Sequence, residues 1–288
     1  MKRLLRYLSV MLIAVLSLSV CFSLAACEDI KKLEVKISVY DVANKKNVES
    51  TLSVDLYRHL APDTVDAVIK YAKEGFYDGL PIYKFATDNG SQYMMGDYKL
   101  NGTAVEKNEA EYVKNIDGEF NASGVIGSDL LNKKGSVGLW RTWEAGASDN
   151  GSFTKNSDKA FSSGSATWFM PTDTLSGYNG YFCVFAQIDT GNKTNAKIYD
   201  YLSAVFADTS CYVSYTVYYT GEDYDSLEFH AETTEEFNAR SDEYKESVFT
   251  AKGEQFVCYN KTEIYMPFAT IGGVENSVAA KVLSVTVK

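Results

Sequence analysis

The chain has 288 residues, 45% of them hydrophobic, and 28 Lys and Arg stand against 38 Asp and Glu for a formal net charge of −10. That is enough for one large or two small domains, and the acidic balance argues against nucleic acid or an anionic lipid surface as partner, since both reward clustered Lys and Arg. With two histidines (His59 and His230) and cysteines whose wide spacing matches no zinc pattern, neither a metal site nor a histidine triad is expected, and no cofactor is implied.

The first residues carry an address. Lys2, Arg3 and Arg6 precede an uncharged apolar run from Tyr7 to Leu24, which ends in Leu24-Ala25-Ala26-Cys27. This reads as a secretory signal over residues 1–26 closed by a bacterial lipobox. Small residues let the peptidase approach the backbone, and the Cys27 thiol is the nucleophile that accepts diacylglycerol. An uncleaved transmembrane anchor would look similar, because the run is nearly long enough to span. Glu28 and Asp29, directly after the cysteine, favour cleavage and lipidation. Either way the chain is expected outside the cell membrane and tethered to it; on the favoured reading lipid on Cys27 anchors it to the extracytoplasmic face, with residues 27–32 as a short tether.

Beyond the tether, Leu33 to Tyr40 and Thr51 to Tyr57 alternate apolar and polar residues, which predicts two half-buried strands. Val65, Val68, Ile69 and Ala72 then follow helical spacing, with Asp63 as the expected N-cap and Gly75 as the expected C′ residue. Short strands are predicted at Ile82 to Ala86, Gln92 to Met95, Ser136 to Trp140, Thr167 to Met170 and Phe182 to Ile188. A second helix fits Ala196 to Phe206. Next come a strand from Cys211 to Tyr219, a charged helix from Glu235 to Val248, and strands at Gln255 to Met266 and Lys281 to Val287. Many short strands with few helices is a mainly β, α+β signature of barrel type.

Several motifs along this order are similar to those of the cyclophilin family of peptidyl-prolyl cis-trans isomerases. They are Val54-Asp55-Leu56-Tyr57, Ala61-Pro62-Asp63-Thr64-Val65, Gly75-Phe76-Tyr77-Asp78-Gly79 and Ile116-Asp117-Gly118-Glu119-Phe120. Further along come the run from Gly135 to Thr142, Trp168-Phe169-Met170, and Asn179-Gly180-Tyr181-Phe182-Cys183-Val184-Phe185. The resemblance runs from about Leu33 to Phe206 and resumes near Lys281. It implies a closed β-barrel with two capping helices over residues 33–288. Within that domain the segment 143–165 reads as a long loop rich in Gly, Ser, Asn and Asp. Residues from about 211 to 266 read as an insertion adding a hairpin and a helix. Cys183 lies in an apolar strand and is expected to be buried and inert, while Cys211 and Cys258 sit on two strands of the insertion, where an exported setting permits a bridge.

The resemblance also implies a site. Where the family reads Phe-His-Arg this chain has Ile82-Tyr83-Lys84, so Lys84 becomes the catalytic cation or, failing that, a solvated lysine on the barrel rim. Lysine keeps the charge but loses the planar fork of arginine. Gly96-Asp97 places Met94 where the family has its glutamine, and Gln92 would reach the groove only through a bulge. Phe169 is expected to floor a proline pocket with Thr167 on its face and Trp168 in the core. Phe182, Tyr178 and Trp140, the last in a place usually held by Ala, complete the substrate groove. The implied function is isomerisation of X–Pro bonds in proline-containing segments of exported proteins, by a monomer, with activity reduced by these departures. A non-catalytic proline-peptide or protein-binding lipoprotein is the alternative. A solute-binding lipoprotein would show a two-lobed βαβ pattern, which is missing.

Overall fold

The computed structural model describes residues 30–87, 90–114, 116–120, 130–140, 162–163, 166–220, 228–249 and 262–288. The expected signal, Cys27, nearly all of the 143–165 loop and Cys258 lie outside the described residues.

Strands β1 (Ile30–Asp41) and β2 (Lys46–Tyr57) pair antiparallel without interruption, from Ile30 opposite Tyr57 to Asp41 opposite Lys46. Leu33, Val35, Ile37 and Val39 all point into the core, with period-two burial as far as Ile37, beyond which Ser38, Tyr40 and Asp41 are buried as well. Helix α1 (Pro62–Lys73) buries Val65, Val68, Ile69 and Ala72 as their spacing requires. Its cap differs from expectation. The N-cap is Ala61, which has no side-chain acceptor, and Asp63 lies inside the first turn. The buried Glu119 carboxylate, 55 residues beyond Thr64, takes the amides of Asp63 and Thr64 at 3.1 and 2.8 Å. A negative group at that end also suits the helix dipole. Gly75 follows the helix at φ 72, a left-handed C′ residue as expected.

The chain continues through β3 (Tyr83–Thr87), β4 (Gly90–Met95), the hairpin β5 (Tyr98–Asn101) and β6 (Ala104–Lys107), and the short β7 (Ile116–Asp117). Then come β8 (Ser136–Leu139), β9 (Ser162–Ser163), β10 (Trp168–Pro171), a single 3-10 turn at Ser176–Tyr178, and β11 (Cys183–Gln187). Helix α2 (Lys193–Ala207) starts before its predicted boundary because Asn192 caps it, accepting from Thr194 and Asn195 amides. The last third holds β12 (Val213–Thr220), β13 (Glu228–Thr233), α3 (Thr234–Ala239), α4 (Asp242–Phe249), β14 (Thr262–Met266), β15 (Phe268–Ile271), β16 (Val274–Val278) and β17 (Ala280–Val287). The single helix expected from Glu235 to Val248 is therefore two. Thr233 and Glu236 form a capping box on α3, Arg240 turns extended, and the Ser241 hydroxyl accepts from the Tyr244 amide to start α4.

Eleven strands form one sheet in the order β13-β12-β14-β3-β4-β10-β8-β11-β2-β1-β17. The expected closed barrel is not seen as a continuous ladder. β17 instead meets the chain just before β3 through an isolated bridge between Pro81 and Lys281. Around it Gly79 N donates to Val282 O, Val282 N to Leu80 O and Ile82 N to Ala280 O. Pro81 brings no N–H, so a regular ladder cannot run through it.

Among the described residues two main apolar cores result, besides a small cluster of Tyr218, Phe237 and Val248 in the last third of the chain. The larger one joins β1, β2 and β17 to both α1 and α2. The smaller lies on the other side of the sheet around Tyr83, Met94 and Phe169, and the segment from β12 to β14 supplies Tyr215, Val217, Ile264 and Met266 to it. The β5–β6 hairpin is pinned to this extension. Lys107 pairs with Asp97 at 2.9 Å, and its ammonium lies 5.2, 5.6 and 5.5 Å from the ring centres of Tyr98, Tyr219 and Phe229. The Tyr215 hydroxyl donates to Thr103 O at 2.6 Å.

Candidate functional site

The site residues can be placed by register alone. Phe169 on β10 lies opposite Met94 on β4, which lies opposite Tyr83 on β3. One rung along, Pro171, Gln92 and Phe85 oppose one another. Directly opposed residues share a face, so these six form one surface and Trp168, Tyr93 and Met95 form the other. Trp168 is in the larger core, where its indole donates to the Tyr77 hydroxyl at 3.0 Å. No bulge interrupts β4 against either neighbour. Gln92 therefore shares the face of Met94 by ordinary alternation, and the bulge expected from the sequence is not needed.

Phe169 is fully buried. It pairs with Gly138 on β8, where a Cβ would run into the Phe169 ring, so the glycine is what lets the ring approach the β8 backbone so closely. Trp140, just past β8, is tied by its amide to Thr167 O at 2.8 Å. Its indole packs 5.9 Å from Phe169, 5.2 Å from Phe182, 6.2 Å from Tyr178 and 5.5 Å from Phe85. Tyr178 and Phe182 stack at 4.5 Å because the 3-10 turn folds Phe182 N back onto Tyr178 O. Thr167 itself is buried. Phe169, Tyr178, Phe182, Trp140 and Met94 thus pack together in one largely aromatic box.

Lys84 does not join them. It opposes Tyr93 on one side and Tyr265 on the other, and its ammonium sits 5.8 Å from the Tyr265 ring. Both tyrosines belong with the larger core. The expected catalytic cation is therefore on the far face of β3, because strand parity groups Lys84 with Ile82 and sets Tyr83 and Phe85 toward Phe169. Those two aromatics were missed, although the burial of Ile82 in the core would have revealed them. Burial, with Asp97 nearby, holds the Tyr83 phenol well above its usual range.

Cys211 is a free, buried thiol, and Cys258, its expected partner, lies outside the described residues. Cys183 is buried as well, and burial pushes its thiol up to about 12. Among the described residues no cluster of three His, Cys, Asp or Glu side chains is placed to hold a metal. A separate cleft of ≈ 390 Å³ opens between the turn after α1 and the β5–β6 hairpin, lined by Phe76, Asp78, Lys99, Asn108 and Tyr112 among others. It contains none of the box residues.

Residues 40–210 match the family described as cyclophilin type peptidyl-prolyl cis-trans isomerase/CLD. The chain belongs to this family. Its cyclophilin domain is similar to a Cryptosporidium parvum cyclophilin type peptidyl-prolyl cis-trans isomerase solved in the presence of the dipeptide Ala-Pro. There the identity is 14%, the TM-score is 0.36, and the match covers 59% of this chain and 85% of that one. A second structure of the same parasite protein matches at 13% identity and a TM-score of 0.34, over 58% of this chain and 84% of that one. No curated protein matches. The matched range contains the whole aromatic box up to Phe182, whereas the β12–β14 extension and Tyr265 lie beyond it.

Proposed function

We propose that this cyclophilin is a membrane-tethered, extracytoplasmic peptidyl-prolyl isomerase that acts on proline-containing segments of exported proteins, with a reduced rate. The observation that carries the activity is Phe169 packed closely against Gly138 within an aromatic box. Rotation about an X–Pro bond must lose amide resonance, a barrier of about 18–20 kcal/mol. An apolar box that grips the pyrrolidine ring holds one side of that bond while the other turns, and it favours the less polar twisted amide. A cation near the prolyl nitrogen would add electrostatic stabilisation. Lys84 faces Tyr265 instead, which supports the reduced rate. The same observation favours a second reading, a proline-peptide-binding module without catalysis.

The test is exchange spectroscopy on a proline tetrapeptide at substoichiometric protein. Wild type should accelerate cis–trans exchange and Phe169→Ala should lose both acceleration and binding. Binding without exchange in wild type selects the second reading, and neither binding nor exchange refutes both.

Two further features belong to this proposal. Leu24-Ala25-Ala26-Cys27 supports anchoring by lipid, and Cys27→Ala should then shift the protein out of the membrane fraction or leave its signal uncut. The bonds joining β17 to residues 79–82 support closure of the eight strands from β3 round to β17 into a barrel.

A further inference from the structure

Trp140 and Gln92 stand out within the box for opposite reasons. Trp140 is only half-buried, yet its indole contacts four rings. It lies edge-on to Phe85 and Phe169 at 80° and 85° and more nearly parallel to Phe182 at 31°. A flat apolar group thus fills the space above Phe169 that a prolyl ring would need. Gln92 is 0% exposed, and neither the nitrogen nor the oxygen of its carboxamide has a hydrogen-bond partner. Folded proteins seldom leave both ends of a buried amide unsatisfied. A methionine or leucine would continue the face of Met94 and Phe169 without that defect. Gln92 opposes Phe85 across the β3–β4 ladder, and the Phe85 ring packs edge-on to Trp140 at 5.5 Å, so a single ring, Phe85, neighbours both.

We propose that Trp140 is a displaceable plug occupying the prolyl pocket of its own domain, and that a peptide which displaces it supplies Gln92 with the main-chain partners it lacks. This rests on the isomerase reading. An extended peptide offers a C=O to the Gln92 amide nitrogen and an N–H to its oxygen, one of each, which is the complement of a carboxamide. A plugged pocket lowers apparent affinity by the fraction of molecules that are open. Removing the plug raises affinity, and removing the carboxamide lowers it while relieving the unfilled state of its unsatisfied groups.

The experiment uses the mature chain, a tetrapeptide containing an Ala-Pro bond, calorimetry and exchange spectroscopy. Trp140→Ala should bind the peptide ~5-fold or more tightly than wild type, with kcat/KM rising in step. Gln92→Leu should raise Tm without peptide yet weaken peptide binding. The indole N–H resonance of Trp140, assigned by its loss in Trp140→Phe, should shift on titration of wild type. That measurement needs no folded Trp140→Ala. Wild type that binds and isomerises while its Trp140 resonance stays fixed overturns the plug alone, as does a folded Trp140→Ala with unchanged or weaker binding. Absence of binding and exchange in wild type and Trp140→Ala alike overturns the plug together with the isomerase reading.

Discussion

At the scale of single residues, orientation matters more than residue type. Lys84 keeps a positive charge at the motif position, but its side chain lies over Tyr265 on the far face of β3. Lys84→Ala is therefore expected to leave the isomerisation rate within about twofold of wild type, because no transition-state contact is lost. A large fall in kcat, measured by exchange spectroscopy, would return Lys84 to the reaction. Gly138 is the opposite case, an inert residue whose missing Cβ makes the floor possible. Gly138→Ala should displace the Phe169 ring and destabilise the domain by about 1–3 kcal/mol, the usual cost of overpacking a filled core. Urea unfolding reads that cost, and peptide affinity should fall with it. Cys183, with its thiol pushed up to about 12 by burial, should resist alkylation at neutral pH until the protein unfolds.

At the scale of elements, the β12–β14 extension is the chain's main addition to the matched family range. It prolongs the sheet past β3, and its apolar side chains pack against the core that holds Phe169. The β5–β6 hairpin clamps it through Lys107, whose ammonium is held charged against the opposing effect of burial by Asp97 and the neighbouring tyrosines. The pair is partly solvated, at 23% and 27% side-chain exposure, so its worth is discounted for screening. Lys107→Met should cost about 1–2 kcal/mol. It should also speed amide exchange along β13, whose ring Phe229 rests against the same ammonium. Lys107→Met combined with Asp97→Asn should regain part of the loss, since no lone carboxylate is then left behind. Unaltered exchange along β13 in the single variant would show that the clamp does not hold the extension.

At the scale of the whole molecule, two behaviours follow. Tyr77, Tyr83 and Tyr98 are buried, and burial is the first cause of the rise in each phenol's pKa. An unfolded phenol ionises near pH 10. The stability these groups contribute is complete below that pH and is lost as pH climbs above it, because the unfolded chain can release protons that the folded one retains. Alkaline titration should therefore show part of the tyrosinate absorbance appearing together with the loss of circular dichroism; full ionisation in a still folded protein would contradict this. The second behaviour concerns closure. If β17 and residues 79–82 complete a barrel, the amides of Gly79, Ile82 and Val282 should exchange as slowly as those in the middle of β1 and β2. Rapid exchange at those three positions would leave the sheet open.

Much of this was legible in the residue string, and for a physical reason. Helical and strand periods are local, so α1, β1, β2 and the strands around Phe169 announced themselves through spacing that burial imposes on each element. The ordered motifs from Val54 to Phe185 carried the family, and Phe169, Tyr178, Phe182, Trp140 and Met94 proved to share one box. What the string could not hold were relations between distant segments. The helix cap belongs to Glu119 because of a contact 55 residues away, and α3 and α4 part at Arg240 although their charges suggested one helix. Lys84 turned away, and Gln92 turned in, because the face a strand residue occupies is assigned by its pairing with β4, β10 and β14. Side-chain alternation is written in each strand, but which side becomes a pocket is decided only when the neighbouring strands dock.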